Sequence, residues 1–261
     1  MEQIWPETPE QVLRRVTEEF IRRAIRLGRK KGRTVLISRT SRGKGIAVER
    51  LNPATAEGRA ELDRLFARPA RHLTISGLGA PEEPDAINWR VLTASFPRRL
   101  LMLVAVTVSV FLKGTPTKNR FLRRMGYNIG RNVEIMQMVW LDHFRPELIF
   151  IGDDSLLGAF TRITVHTYEG RGRFRYGVVE IGRGCTLGAG TGIGVCKMGD
   201  GVRTLPGTVV SPYYPRIEAG ATVGYAPPPL ALPDGPDPLP GGAGPDGPQA
   251  EPPATSPQPL S

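Results

Sequence analysis

The chain has 261 residues, of which 40% are hydrophobic, and a formal net charge of +10 at pH 7. This length suffices for one or two domains with a real hydrophobic core. Between Pro9 and Ile46 there are twelve Lys and Arg residues and three Glu, so nearly all the excess charge lies near the N-terminus. The basic charge therefore does not mark the whole protein as a nucleic-acid binder.

The few cysteines and histidines exclude two classes of small, cross-linked protein. Cys185 and Cys196 cannot form a disulfide framework, and no set of Cys and His residues has the spacing of zinc ligands. We therefore expect no metal. The first ten residues lack the apolar run of a secretory signal, so we expect a cytoplasmic location.

Residues 1–97 are expected to form a first domain with a basic helix and a small α+β module. Residues 8–31 predict a helix that begins with Thr8 as its N-cap and Gln11 closing a capping box. Its basic side fits either anionic lipid or an acidic partner, or simply a solvated surface. Residues 33–78 then alternate between strand and helix patterns, and residues 79–86 have the composition of a linker.

Residues 98–128 are expected to be a helical connector with one strongly apolar run, Leu100 to Leu112. The run is shorter than the roughly 20 residues that span a bilayer. Because Arg98, Arg99 and Lys113 flank it, the run fits shallow insertion at a membrane surface, and burial against the following domain equally well. With the basic first helix, it favours a position near a membrane.

From residue 129 to residue 225 aliphatic side chains recur at every sixth position, as in Ile151, Leu157 and Ile163. The fourth residue after the aliphatic one is usually small or β-branched. This period predicts a coil shaped like a triangular prism, whose stacked turns share one continuous core. Glycine often follows the aliphatic residue, and we expect it to suit a corner whose backbone conformation disfavours a Cβ.

The register of the repeat has two irregularities. The step from Leu141 to Ile151 is ten residues, which predicts a bulge at a corner. After Ile193, strict spacing would bury charged side chains, whereas a slip of one residue turns Met198, Thr204 and Val210 inward. Beyond the repeat, residues 226–261 hold 13 of the 25 prolines and are expected to be a disordered tail.

The segments "IGRNVEI", "IGDDSLLGAFTRI", "IGRGCTLGAG" and "GDGVRTLPGTVV" resemble the hexapeptide-repeat acyltransferases, especially the maltose and galactoside O-acetyltransferase branch. The resemblance implies a mainly β fold, a left-handed parallel β-helix, assembled as a homotrimer that binds acetyl-CoA between neighbouring coils. It also implies roles for six residues. His166 would be the catalytic general base, Asp142 and His143 would bind the acceptor, and the cofactor-binding residues would be Ala189, Pro206 and Ser211.

The resemblance implies a CoA-dependent O-acyltransferase, with acetyl as the expected acyl group, that acts on a sugar or glycan hydroxyl. A hydroxyl is a poor nucleophile until its proton is being removed, and an imidazole suits that task near neutral pH. The alternative is a non-catalytic trimeric scaffold of the same architecture with a peripheral membrane contact. Nucleic-acid binding is disfavoured because no known motif accompanies the basic helix.

The sequence "YEGRGRFRYG" interrupts the repeat directly after His166. Glu169 within it could orient the imidazole, but an exposed loop glutamate without such a role is the favoured interpretation. Arg171, Arg173 and Arg175 lie at alternate positions in it, with aromatic residues interleaved, and two interpretations of this basic loop stay open. It would hold an anionic acceptor or the phosphates of CoA, or it would form a contact between subunits.

Overall fold

The computed structural model describes residues 5–39, 43–68, 70, 72–78, 87, 89–112, 115–170, 172–210 and 216–224. All described elements belong to one compact unit, residues 1–226. Arg171, the linker expected at residues 79–86 and the tail expected at residues 226–261 lie outside the described residues.

The N-terminal region begins with the long helix that the capping signals predict. Helix α1 (Pro9–Lys31) has Thr8 as its N-cap, and Thr8 and Gln11 form the expected reciprocal capping box. One side of α1 is buried against the rest of the unit. The elements that follow are β1 (Leu36–Ser38), β2 (Ile46–Ala47), a 3₁₀ helix (Val48–Leu51), α2 (Ala56–Phe66), β3 (His72–Ser76), α3 (Trp89–Thr93), α4 (Phe96–Phe111) and α5 (Thr115–Arg124).

Short parallel strands then wind into a coil with three faces. The first face contains β4 (Asn128–Ile129), β7 (Ile149–Ile151), β12 (Val179–Ile181), β15 (Cys196–Met198) and β18 (Arg216–Ile217). The second contains β5 (Glu134–Ile135), β8 (Leu156–Leu157), β13 (Thr186–Leu187), β16 (Arg203–Thr204) and β19 (Thr222–Val223). The third contains β6 (Trp140–Leu141), β9 (Arg162–Ile163), β14 (Gly192–Ile193) and β17 (Val209–Val210).

The six-residue period sets which side chains fill the coil. Ile151, Leu157 and Ile163 are fully buried, one on each face. The predicted slip after Ile193 is confirmed, because Ile193 pairs in register with Val210 and both side chains point into the core. Small buried residues fill the space between the aliphatic ones: Val133, Val139, Ser155, Thr161, Cys185, Thr191 and Val202.

The glycines after the aliphatic residues have a different role from the one expected. Gly152 and Gly188 do not have a positive φ, so backbone conformation does not require glycine there. At Gly152 an added Cβ would lie 2.5 Å from the backbone of Gly182 on the next turn. The reason for glycine is therefore close stacking of turns. The left-handed backbone conformation occurs at other corner glycines, such as Gly190.

A hairpin projects from the coil and joins the N-terminal strands. Strands β10 (His166–Gly170) and β11 (Arg173–Gly177) are antiparallel, and β11 pairs with β3, giving one sheet in the order β10-β11-β3-β1-β2. Helix α1 covers this sheet. The Tyr176 hydroxyl lies 2.8 Å from Thr17 Oγ1, and the centres of the Tyr176 and Phe20 rings are 4.8 Å apart. The domain boundary expected after residue 97 stays a prediction, although this sheet crosses it.

The predicted bulge between Leu141 and Ile151 contains a short 3₁₀ helix, Pro146–Leu148. Its buried Arg145 forms ion pairs with Glu19 of α1 at 2.7 Å and with Glu147 at 2.9 Å. The Arg145 guanidinium also lies 4.7 Å from the centre of the Phe20 ring. These contacts fasten α1 to the first turns of the coil, and a buried guanidinium requires such partners.

Candidate functional site

The hairpin brings His166 against Asp142, which follows β6 on the previous turn. His166 Nδ1 lies 2.6 Å from Asp142 Oδ2. The carboxylate is buried and also accepts the backbone N–H groups of Phe144 at 2.9 Å and Val165 at 3.0 Å. Both carboxylate oxygens are thus used inside the protein. This geometry favours Asp142 as the residue that holds His166 over the acceptor-binding role expected from sequence.

The surroundings of Asp142 favour its ionised form. Burial alone would raise the pKa of Asp142, but the hydrogen bond and charge of His166, with two backbone N–H donors, lower it below its usual value. An ionised carboxylate can only accept, so Nδ1 of His166 carries the hydrogen. When the imidazole is neutral with its hydrogen on Nδ1, its lone pair is on Nε2, which is the tautomer that a general base needs.

Aromatic rings hold the imidazole of His166 on two sides. The Phe144 ring meets it edge-on, with centroids 4.7 Å apart, and the Phe174 ring lies at 5.5 Å. The side chain of His166 keeps 19% of its surface exposed. The imidazole is therefore oriented by its surroundings while part of it still faces solvent.

His143, the second predicted acceptor-binding residue, lies beside this pair. Its ring stacks on Phe144 at 4.4 Å and meets Trp140 edge-on at 6.0 Å. Burial lowers the pKa of His143, Asp142 raises it and His166 lowers it again. The net direction is down, so His143 is neutral near pH 7.

A groove of about 390 Å³ runs along the third face of the coil. The coil supplies Arg162, Thr164, Gly194 and Val209 to its walls, and the hairpin supplies Thr167 and Arg175. His166 does not line the groove, but Thr164 and Thr167, which lie on either side of His166 in the sequence, both do. The groove therefore ends next to the hairpin strand that begins with His166.

The predicted donor-binding residues lie at the opposite edge of the same face. Ala189 and Pro206 are exposed on consecutive turns, and the Ala189 carbonyl accepts the N–H of Gly207 at 2.8 Å. In the described part of the chain, no hydrogen bond is made by the N–H of Ala189 or the carbonyl of Pro206. One donor and one acceptor thus remain for an amide-containing ligand. Ser211 lies outside the described residues.

Comparison with known proteins decides the family. No family model matches the chain. The protein named "Putative acetyltransferase YvoF" of Bacillus subtilis (strain 168) is 31% identical over 143 residues, which cover 53% of this chain and 80% of that protein. The chain belongs to the hexapeptide-repeat acyltransferases.

Two solved structures are also similar to this acyltransferase. A maltose O-acetyltransferase from Clostridium difficile 630 has 19% identity and a TM-score of 0.36, and the match covers 44% of this chain and 76% of that one. The hexapeptide-repeat containing acetyltransferase VCA0836 from Vibrio cholerae has 12% identity and a TM-score of 0.38, with 50% and 87% covered.

The basic hairpin of the acyltransferase pairs its own charges. Glu169 forms ion pairs with Arg173 at 3.1 Å and with Arg175, so it is engaged away from His166. The carboxylate that contacts the imidazole is that of Asp142 and not that of Glu169. The position of Asp142 directly after the strand β6, on the turn before His166, was the available signal. In the described part of the acyltransferase, no group of three potential metal ligands lies together.

Proposed function

We propose that this acyltransferase is a CoA-dependent O-acyltransferase that moves an acetyl group to a hydroxyl of a sugar or glycan, with His166 as the general base. One observation carries the proposal. The buried carboxylate of Asp142 lies 2.6 Å from Nδ1 of His166. Because an ionised carboxylate can only accept a hydrogen bond, a neutral imidazole held in this way carries its lone pair on Nε2. This arrangement is what proton removal from a hydroxyl requires.

Acetyl-CoA supplies a thioester, whose acyl carbon is the electrophile. The oxygen of the acceptor hydroxyl attacks the acyl carbon while His166 Nε2 accepts the proton of that hydroxyl. His166 later gives the proton to the departing thiolate of CoA. While the imidazole is protonated, the charge of Asp142 stabilises it. Asp142 is thus a positioning residue, and His143, neutral and close by, would contact the acceptor.

The donor would lie along the third face of the coil. The N–H of Ala189 and the carbonyl of Pro206 would hold its amide-containing arm, together with Ser211. The groove of about 390 Å³ on this face leads towards the hairpin, which supports a path between the two edges. We include in the proposal the left-handed sense of the coil and the homotrimeric assembly, in which a neighbouring copy would close this face.

The test is to replace His166 with Ala and to follow thiol release from acetyl-CoA with a panel of sugars. We expect kcat to fall by about 10²- to 10⁴-fold, the usual contribution of a general base. The matched control is His72→Ala. His72 is a half-buried histidine of β3, so its loss should leave kcat unchanged.

Binding of the donor is measured separately, as the change in the melting temperature of the protein when acetyl-CoA is added. A ligand that binds only the folded state raises this temperature. We expect acetyl-CoA to stabilise the wild type and His166→Ala alike. If the wild type neither binds nor consumes acetyl-CoA, the proposal is wrong and the non-catalytic scaffold is the better account. If His166→Ala keeps full activity, the general base is another group.

A further inference from the structure

Helix α4 has an unusually apolar exposed surface, which we call the α4 face. Met102, Ala105, Val106, Ser109 and Val110 are its buried side chains. The α4 face consists of seven large apolar side chains, each at least 41% exposed, in a helix of 16 residues: Phe96, Leu100, Leu101, Leu103, Val104, Val108 and Phe111. A continuous surface of this kind marks an interaction site more often than scattered apolar residues do.

The two hydroxyl groups of this helix form hydrogen bonds within the helix itself. The exposed Thr107 hydroxyl donates to the Leu103 carbonyl at 2.8 Å, and the Ser109 hydroxyl donates to the Val106 carbonyl at 2.7 Å. The α4 face therefore offers no hydrogen-bonding group that a partner must match. It suits a hydrocarbon environment, where an unsatisfied polar group is costly.

The surroundings of the α4 face are strongly basic. From residue 86 to residue 133 the chain has nine Lys and Arg residues and no Asp or Glu. Lys118 among them is buried, and Arg98 pairs with Glu147 at 3.6 Å. Arg23 of α1 also lies near this segment. Burial lowers the pKa of Arg23, and the like charge of Arg98 lowers it further. An apolar helix bordered by basic side chains complements a surface that is apolar inside and negatively charged outside.

The length of α4 determines how it would meet such a surface. Its 16 residues extend about 24 Å, and the hydrocarbon core of a bilayer is about 30 Å thick. In the part of the chain that the structure describes, no helix is long and apolar enough to cross a membrane. A helix with one side packed on the protein can only lie in the plane of the bilayer.

We propose that the α4 face docks in the plane of an anionic lipid bilayer, with its apolar side chains in the acyl boundary and the basic residues on the headgroups. Helix α4 packs against α5 and β6, and β6 ends one residue before Asp142. Docking would therefore bring the bilayer close to the edge of the coil that carries the candidate site.

The test measures binding of the full chain to vesicles of phosphatidylcholine alone and of phosphatidylcholine mixed with phosphatidylglycerol. We expect binding to the anionic vesicles only, and weaker binding at about 0.5 M salt because salt screens the basic residues. Leu101→Glu should weaken it at least about tenfold, since it removes the burial of one leucine side chain. The matched control is Leu36→Glu, at an exposed apolar residue of β1, which lies outside the coil and should bind like the wild type.

A second measurement does not depend on a destabilising charge. Val104→Cys can be labelled selectively with an environment-sensitive fluorophore, because both natural cysteines are buried. Its emission should shift to the blue on anionic vesicles. The proposal is overturned if the wild type does not bind anionic vesicles, if Leu101→Glu and Leu36→Glu bind equally, or if the label does not shift. It is also overturned if Leu101→Glu changes the mass of the assembly without lipid, since the α4 face would then join copies of the chain.

Discussion

Replacing Asp142 with Asn tests whether the buried carboxylate serves the chemistry or only the fold. The carboxylate accepts three N–H groups, from Phe144, Val165 and His166. An amide nitrogen at either position must face at least one of these donors. Each buried donor left unpaired costs about 1–3 kcal/mol, and we expect the free energy of unfolding to fall by that amount.

The kinetic effect should be larger than the loss of stability suggests. Without the carboxylate, His166 is no longer held with its hydrogen on Nδ1, so the lone pair on Nε2 is lost or misdirected. We expect kcat for acetyl transfer to fall about 10²- to 10⁴-fold at a temperature where the variant is folded. KM for acetyl-CoA should change little, because Asp142 lies away from Ala189 and Pro206.

Asp153→Asn is the matched control for this experiment. Asp153 is also buried, and it accepts the backbone N–H of Arg131 at 2.7 Å and pairs with the Arg131 guanidinium at 3.0 Å. The control should lose stability of the same order and keep its kcat. If Asp142→Asn keeps its kcat, or if both variants lose kcat equally, Asp142 is a structural residue only.

Two further predictions concern stability. Because the pKa of His143 is lowered from 6.5 in the folded state, the stability it contributes is full above about pH 6.5 and is lost as the pH falls below that value. His143→Phe should therefore flatten the decline of the free energy of unfolding between pH 7 and 5 by up to about 1.4 kcal/mol per pH unit, and an unchanged slope would contradict the lowered pKa. Gly152→Ala should cost about 1–3 kcal/mol in chemical denaturation, since its Cβ would meet Gly182 at 2.5 Å. Gly192→Ala, whose Cβ would have no neighbour closer than 3.9 Å, should stay within about 0.5 kcal/mol, and equal losses would refute the stacking argument.

The coil was predictable because its signal is local and repeated. Each turn places an aliphatic residue in the same core, so the period survives a bulge and a register slip. The cost of burying a charge was enough to find the slip after Ile193. The early part of the chain was predictable for a similar reason, since the capping box at Thr8 depends on residues three positions apart.

The surroundings of the candidate site were less predictable because distant segments create them. Nothing in residues 72–76 indicates that they pair with residues 173–177, about a hundred positions later. His166 could be singled out by its place after Ile163. The burial of Asp142 depends on how the bulge after Leu141 folds back, and the sequence does not show this. The carboxylate of Asp142 was therefore expected to face an acceptor.

The shared sheet has a consequence for dissecting the protein. A fragment that starts at the first repeat would contain every turn of the coil and would lack β3, the strand that borders β11. The remaining pair, β10 and β11, would be an isolated ribbon, and two strands alone are marginally stable in water. Such a fragment would still show the melting transition of the coil, but His166 would lie on a poorly ordered hairpin. Loss of activity in the fragment would therefore not test the chemistry of the full chain.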